Sequence, residues 1–156
     1  MGILTEDMKR AIREQRLGYV ATVCEDGTPN LSPKGTLTFW DDDHLMFADL
    51  ASPGTIANLR HNPAVEINVV DPLVRKGYRF KGTATVLTEG LQFEQMVESY
   101  RQRGTLNPIH AIVFIYVTQA QPLISPAYDL GAKEEEIRHR WLQYWTSLWH
   151  SSPTIR

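Results

Sequence analysis

Residues 18–63 read GYVATVCEDGTPNLSPKGTLTFWDDDHLMFADLASPGTIANLRHNP. Gly18 opens the β-branched run YVATVC, and Glu25-Asp26-Gly27-Thr28-Pro29 supplies the residues of a hairpin turn. The next run, Asn30 to Trp40, is interrupted by Ser32-Pro33-Lys34-Gly35. Proline and glycine inside a strand mark a bulge or a close backbone approach. Asp41-Asp42-Asp43 makes the next turn, and HLMFADL returns as a third strand. A short helix follows at once, with Ser52 as its N-cap, Pro53 at its first position and Asn62-Pro63 as its stop. The stretch therefore predicts a small antiparallel sheet that delivers a polar segment, Ser32–Thr36, and then a helix N-terminus.

The flanking sequence extends this pattern. Thr5 is placed to cap a first helix running to about Gln15, with Glu6 and Asp7 at its positive end. Ala64–Asp71 alternates as a strand does. Gly77–Thr88 sets Tyr78, Phe80, Ala84 and Val86 on one face and Arg79, Lys81, Thr83 and Thr85 on the other. Residues 90–103 place Phe93, Met96, Val97 and Tyr100 on one helical stripe, and His110–Gln119 is a final strand. A proline-containing loop leads to a helix from Lys133 to about His150. About six strands and four helices result. Short strands joined by turns favour a mainly β, antiparallel barrel with flanking helices over a parallel sheet. No glycine-rich βαβ unit is present, which disfavours a Rossmann-type fold. The expected organisation is a barrel domain over residues 1–125 and a helical extension over 126–156, packed on the barrel or on a second subunit.

Composition narrows the function. A chain of 156 residues fits one domain, and 42% hydrophobic with 22% charged residues is ordinary globular usage. The net charge of −2 gives no general attraction for nucleic acid or anionic membranes, so an anionic ligand must be held by local groups. Cys24 is the only cysteine, which excludes an internal disulfide framework. The N-terminus turns charged within a few residues, and the longest apolar run, Ala111–Val117, is far too short for a spanning helix. A cytoplasmic location is the expectation.

The chemistry-bearing residues each admit two readings. At Ser52–Asn58 the first helical N–H groups lack intrahelical partners and the peptide dipoles place positive charge there. Gly54 allows close approach, Thr55 adds a hydroxyl, and Asn58 lies three residues on, an arrangement that suits a phosphate. The same residues also make a plain capped helix. Lys34, beside Ser32 and Thr36, reads as an active cation or as a solvated hairpin lysine. Arg79 and Lys81 share a strand face and read as phosphate countercharge or as a solvent face. Asp41–His44 reads as a turn, the histidines lack metal-ligand spacing, and Cys24 has no nucleophile context. Trp141, Trp145, Leu148 and Trp149 recur at helical spacing and form a packing stripe.

Taken in order, ATV-x-x-DG-x-P, the SPKG segment, T-x-x-N-L-x-x-N-P and the strand RFKGTA resemble the pyridoxamine 5'-phosphate oxidase-like, FMN-binding split-barrel family over residues 5–120. The resemblance implies a six-stranded antiparallel Greek-key split barrel with FMN in a cleft between the subunits of a homodimer. It implies that Ser32, Pro33, Lys34, Gly35 and Thr36 line the ring and ribityl chain. Ala48 and Asp49 would then flank the ring, Thr55 and Asn58 face the phosphate, and Lys81 reach it from its strand. A lysine at the ring edge would tune the flavin electrostatically. Two departures stand out. Gly54-Thr55 occupies a place where pyridoxamine phosphate oxidases carry a basic Arg-Lys pair, and AYDLGAKEEEIRHRWLQYW does not match their Trp- and Arg-rich end. Vitamin B6 oxidation is therefore not inherited. The leading expectation is an FMN-dependent oxidoreductase acting on an unidentified small substrate, with no side chain marked as catalytic. The alternatives are a non-catalytic FMN storage or electron-carrier protein, and a split barrel holding another flat cofactor such as a deazaflavin or haem.

Overall fold

The computed structural model describes residues 2–151. Helix α1 (Glu6–Gln15) opens with the Thr5 hydroxyl accepting from the Met8 N–H, as the capping pattern requires. It leads into β1 (Gly18–Val23), β2 (Pro29–Lys34), β3 (Thr38–Phe39) and β4 (His44–Asp49). Then follow α2 (Pro53–His61), β5 (Ala64–Asp71), β6 (Lys76–Leu87), α3 (Leu91–Gln102), β7 (Ala111–Ile124) and α4 (Glu134–Ser151). Residues 152–156 of the expected extension lie outside the described residues.

The strands form one antiparallel sheet in the order β2-β1-β5-β6-β7-β4-β3, rolled into a split barrel. The count is seven rather than the six expected. Asn30–Trp40 does not make one interrupted strand. Ser32-Pro33-Lys34-Gly35 ends β2, and the chain crosses to pair Thr38 and Phe39 with Met46 and Leu45 of β4 at the other edge of the sheet. The edge strand β2 carries Pro29 and Pro33, residues that cannot donate to a further strand.

Two apolar layers hold this sheet. Val20, Leu45, Phe47, Ile67, Phe80, Val113 and Ile115 fill the barrel, and Ile56 and Leu59 of α2 join them. Met46, Ala48 and Ile112, from the opposite face of β4 and β7, pack beneath Met96 and Tyr100 of α3. The stripe read from residues 90–103 is thus the face that α3 buries. At the far end, the hairpin between β5 and β6 receives the C-terminal segment. The Arg75 guanidinium lies 3.6 Å above the Trp141 ring, Lys76 Nζ is 2.8 Å from Glu134, and the Tyr128 hydroxyl donates to the Val74 carbonyl. Beyond this contact Leu142, Tyr144, Trp145 and Trp149 are exposed.

The long β6–β7 pair slips register between Lys81 and Gly82, leaving Thr118 as the extra residue on β7. The backbone at Gly82 runs so close to β7 that a Cβ there would stand 2.4 Å from the Tyr116 carbonyl oxygen. Gly82→Ala is expected to lower stability by about 1–3 kcal/mol through this overlap. Thermal unfolding followed by circular dichroism checks it, and an unchanged midpoint would show that the bulge absorbs a methyl group.

Candidate functional site

The end of β2 turns Lys34 inward, where its Cα pairs with Gly18. The residue is only 5% exposed and its ammonium lies 5.7 Å from the centre of the Phe47 ring. Its Nζ donates to Ser52 Oγ at 2.6 Å, across the start of α2. Burial holds the Lys34 ammonium below the usual lysine range, and the Asp49 carboxylate partly offsets that effect. Asp49 is itself buried, and its Oδ1 accepts from the Ser52 N–H at 2.7 Å. The buried Lys34 and Asp49 and the half-buried Ser52 thus form one polar cluster where β2, β4 and α2 meet.

Gly35 and Thr36 continue from this cluster along a pinned backbone. Thr36 Oγ1 donates to the Ala48 carbonyl and accepts from the Ala48 N–H, both at 3.0 Å. The Tyr100 hydroxyl of α3 donates to the Thr36 carbonyl at 2.9 Å, and burial pushes its pKa well above the ordinary phenol value. The predicted residues Lys34, Gly35, Thr36, Ala48 and Asp49 are therefore one continuous structure. Ser32 is half-buried and Pro33 is exposed on the same strand.

Ser52 caps α2 without a side-chain bond to the helix, since its hydroxyl is engaged by Lys34. A side chain at Gly54 would meet nothing within 4 Å, so the first turn of α2 opens to an approaching group. Thr55 is buried in the same turn. Asn58 points elsewhere: its Nδ2 donates to Thr22 Oγ1 at 3.0 Å and lies 3.6 Å from Cys24 Sγ, tying α2 to β1. Lys81 is also set apart. It stands exposed on β6, 3.3 Å from Glu66, whose other oxygen is 3.0 Å from Arg79 Nε. One carboxylate thus holds both of the basic residues that the sequence left as alternatives.

On the other side of Gly35–Phe39 lies a cleft of about 460 Å³ between the C-terminal ends of α1 and α3. Arg13, Arg16 and Arg103 line it together with Thr36, Thr38, Phe39 and Tyr100. The sequence reading did not assemble it, because its arginines come from positions some ninety residues apart. The available signal was the basic residue in the last turn of α1. Among the described residues, no group of three or more His, Cys, Asp and Glu side chains is placed to hold a metal ion. No helix there is long and apolar enough to cross a membrane.

Residues 4–121 match the family model for pyridoxamine 5'-phosphate oxidase, and the chain belongs to that family. Among solved structures it is similar to HupZ of Group A Streptococcus, at 34% identity over 78% of this chain and 95% of the other, with a TM-score of 0.71. An FMN-binding protein from Syntrophomonas wolfei shares the fold at 19% identity, over 75% of this chain and 84% of that one, with a TM-score of 0.63. An F420 reductase does so at 22% identity, over 76% and 98% of the two chains, with a TM-score of 0.58. No curated protein matches the chain.

The desolvated lysine makes stability depend on pH in a definite direction. Because its folded-state pKa lies below the unfolded value of 10.5, the folded chain releases this proton first as pH rises. The penalty of burying the ammonium is full at neutral pH and is relieved as pH climbs from the folded pKa towards 10.5. Lys34→Met has no such dependence. Urea unfolding of the two proteins should therefore show the wild type gaining relative to the variant as pH is raised, and parallel pH profiles would show that Lys34 is hydrated.

Proposed function

We propose that the chain binds FMN and uses it as an oxidoreductase cofactor at the start of α2 and the adjoining Lys34–Thr36 segment. The observation that carries this reading is the pairing of an open helix N-terminus at Gly54 with a buried, desolvated lysine at the neighbouring strand end. Family membership and the shared fold of an FMN-binding protein support it.

The residues suit such a ligand by their chemistry. A phosphate carries roughly −1.5 to −2 charges and accepts several hydrogen bonds. The Gly54 and Thr55 amides and the helix dipole meet both needs without a basic pair. Lys34, close to Ser52 and Asp49, brings a positive charge whose strength is raised by the low local dielectric. Bound flavin would supply two-electron transfer between a reduced donor and an acceptor; the chain's part is to position the ring and set its electrostatic surroundings. Ala48, Asp49, Ser32 and Pro33 would lie along the ring, whereas Asn58, bonded to Thr22, and Lys81, paired with Glu66, stay outside this reading. A homodimer with the cofactor between subunits is part of this proposal, as is a small-molecule substrate.

A non-catalytic FMN carrier is the rival reading. A deazaflavin is favoured as an alternative cofactor by the fold shared with an F420 reductase. Reconstitution decides among them. Titration with FMN should give near-stoichiometric uptake and a shifted flavin spectrum. Gly54→Leu, which enters open space and leaves unfolding unchanged, should weaken uptake at least tenfold, on the order of the loss of one or two charge-assisted hydrogen bonds. Equal FMN affinity in the variant would remove α2 from the site, and no uptake at all would overturn the cofactor. Rapid reduction of the loaded protein by NADH or NADPH marks an enzyme, whereas slow reduction marks a carrier.

A further inference from the structure

Helix α4 carries an apolar stripe that the barrel covers only in part. Trp141, Leu142, Tyr144, Trp145, Leu148 and Trp149 fall on one arc of about 160° at helical spacing, continuous with Ile137. The opposite arc holds Gln143, Thr146, Ser147 and His150, and no carboxylate, lysine or arginine stands between Trp141 and Ser151. The start of the stripe is taken up by the barrel: Ile137 is buried, and Trp141 lies against the Arg75 guanidinium. Its second half has no such cover. Leu142, Tyr144, Trp145 and Trp149 are 51%, 47%, 46% and 86% exposed. Edge-on contacts of Trp141 with Tyr144 and of Tyr144 with Trp145, each at 5.5 Å, hold these rings in a row. The whole helix lies beyond residue 121, where the family match stops, so the stripe is an addition to the matched barrel.

A stripe this wide is what a helix turns towards a core, and candidate cores differ in what they require. The barrel of the same chain is out of reach. An 18-residue helix is about 27 Å long, and the Arg75 and Lys76 contacts fix its first half. A bilayer surface calls for lysine and arginine along the polar arc. Here that arc is uncharged, the helix opens with Glu134, Glu135 and Glu136, and the chain carries a net charge of −2. A second copy brings a face of the same kind. Aromatic side chains bury about 150–250 Å² each, so the four exposed residues offer roughly 450–500 Å² per copy. Two stripes face to face remove about 900–1,000 Å² before any flanking side chain is added, close to the lower bound of a specific contact. Charge then sets the direction. Parallel helices would bring two acidic triplets together, whereas antiparallel ones place them at opposite ends and oppose the helix dipoles.

We propose that α4 pairs antiparallel with α4 of a second copy, stripe against stripe, crossing near Trp145. The contact is isologous, so it closes on itself and leaves no stripe uncovered. It does not rest on the flavin reading, since α4 contributes no residue to the Lys34–Thr36 segment or to α2.

Crosslinking tests the pairing on the full chain carrying Cys24→Ser, which removes its one native thiol. Thr146→Cys stands beside the stripe at the crossing point, and Gln143→Cys stands on the opposite arc. Paired helices hold two thiols at millimolar effective concentration, so a short bismaleimide at micromolar protein should join Thr146→Cys on the order of tenfold faster than Gln143→Cys. Leu142→Gln, Trp145→Gln and Trp149→Gln together should abolish the link while the unfolding midpoint of the barrel stays unchanged. Equal rates at the two positions would overturn the pairing, as would a link that survives the triple substitution. Vesicles of phosphatidylcholine and phosphatidylglycerol test the bilayer: uptake by the unsubstituted chain that the triple substitution removes would assign the stripe to a membrane and overturn the second copy. The crosslink is read without FMN, so failure of the flavin reading leaves this result standing.

Discussion

The two-sided burial of β4 governs this structure. Leu45 and Phe47 enter the barrel while Met46 and Ala48 are sealed beneath α3, so every side chain from Leu45 to Asp49 is buried. Side chains alternate with a period of two, and a slip of one residue would exchange these two sets. Neither layer tolerates the exchange, because each is filled by partners of matched shape from β7 and α3. The register against β7, Leu45 to Ile115 and Phe47 to Val113, is thereby locked. Asp49 and Ser52 then fall where β4 ends, and α2 starts in a fixed relation to Lys34.

That geometry explains why a lysine is tolerated inside. Burying an unpaired ammonium is costly, and the chain offsets the burial with the Ser52 hydroxyl and a nearby carboxylate. A methionine of similar length would fill the same space without that penalty. A charged group retained in such a place points to work for the charge, and perturbed titration beside an open backbone site is a recurrent mark of functional positions. The Ser52 hydroxyl supports the same view: it has given up its usual capping bond to hold the lysine, leaving the helix start open at Gly54.

Much of this architecture was legible because each element carries a strong local signature. Thr5 and Pro53 mark helix starts, Gly27 has the positive φ of 83° that its hairpin turn demands, and 64–69 alternates in burial. The SPKG interruption was visible as a break, yet its consequence was not. Whether a chain bulges within one strand or crosses to a distant edge depends on the partner available to Thr38 and Phe39, a long-range fact. Lys34 was ambiguous for a related reason. Alternation gave its face, but the depth of that face is set by Phe47 and α2. Asn58 could be placed on a helical face, whereas its bond to Thr22 required the packing of α2 on β1. The arginine cleft was least legible of all, since α1 and α3 converge only once β3 has been laid between them.

The same segment, residues 34–39, therefore separates two different electrostatic environments. On the α2 side a single buried cation sits beside oriented backbone dipoles, and its charge is strengthened by exclusion of water. On the α1–α3 side three guanidiniums stand around an open space and are screened by solvent and salt. Overall charge cannot produce either, because a chain at −2 offers an anion no long-range welcome. Both arise from local placement by a short stretch pinned through Thr36 to Ala48 and Tyr100. Two differently screened positive environments thus stand on opposite sides of one short segment.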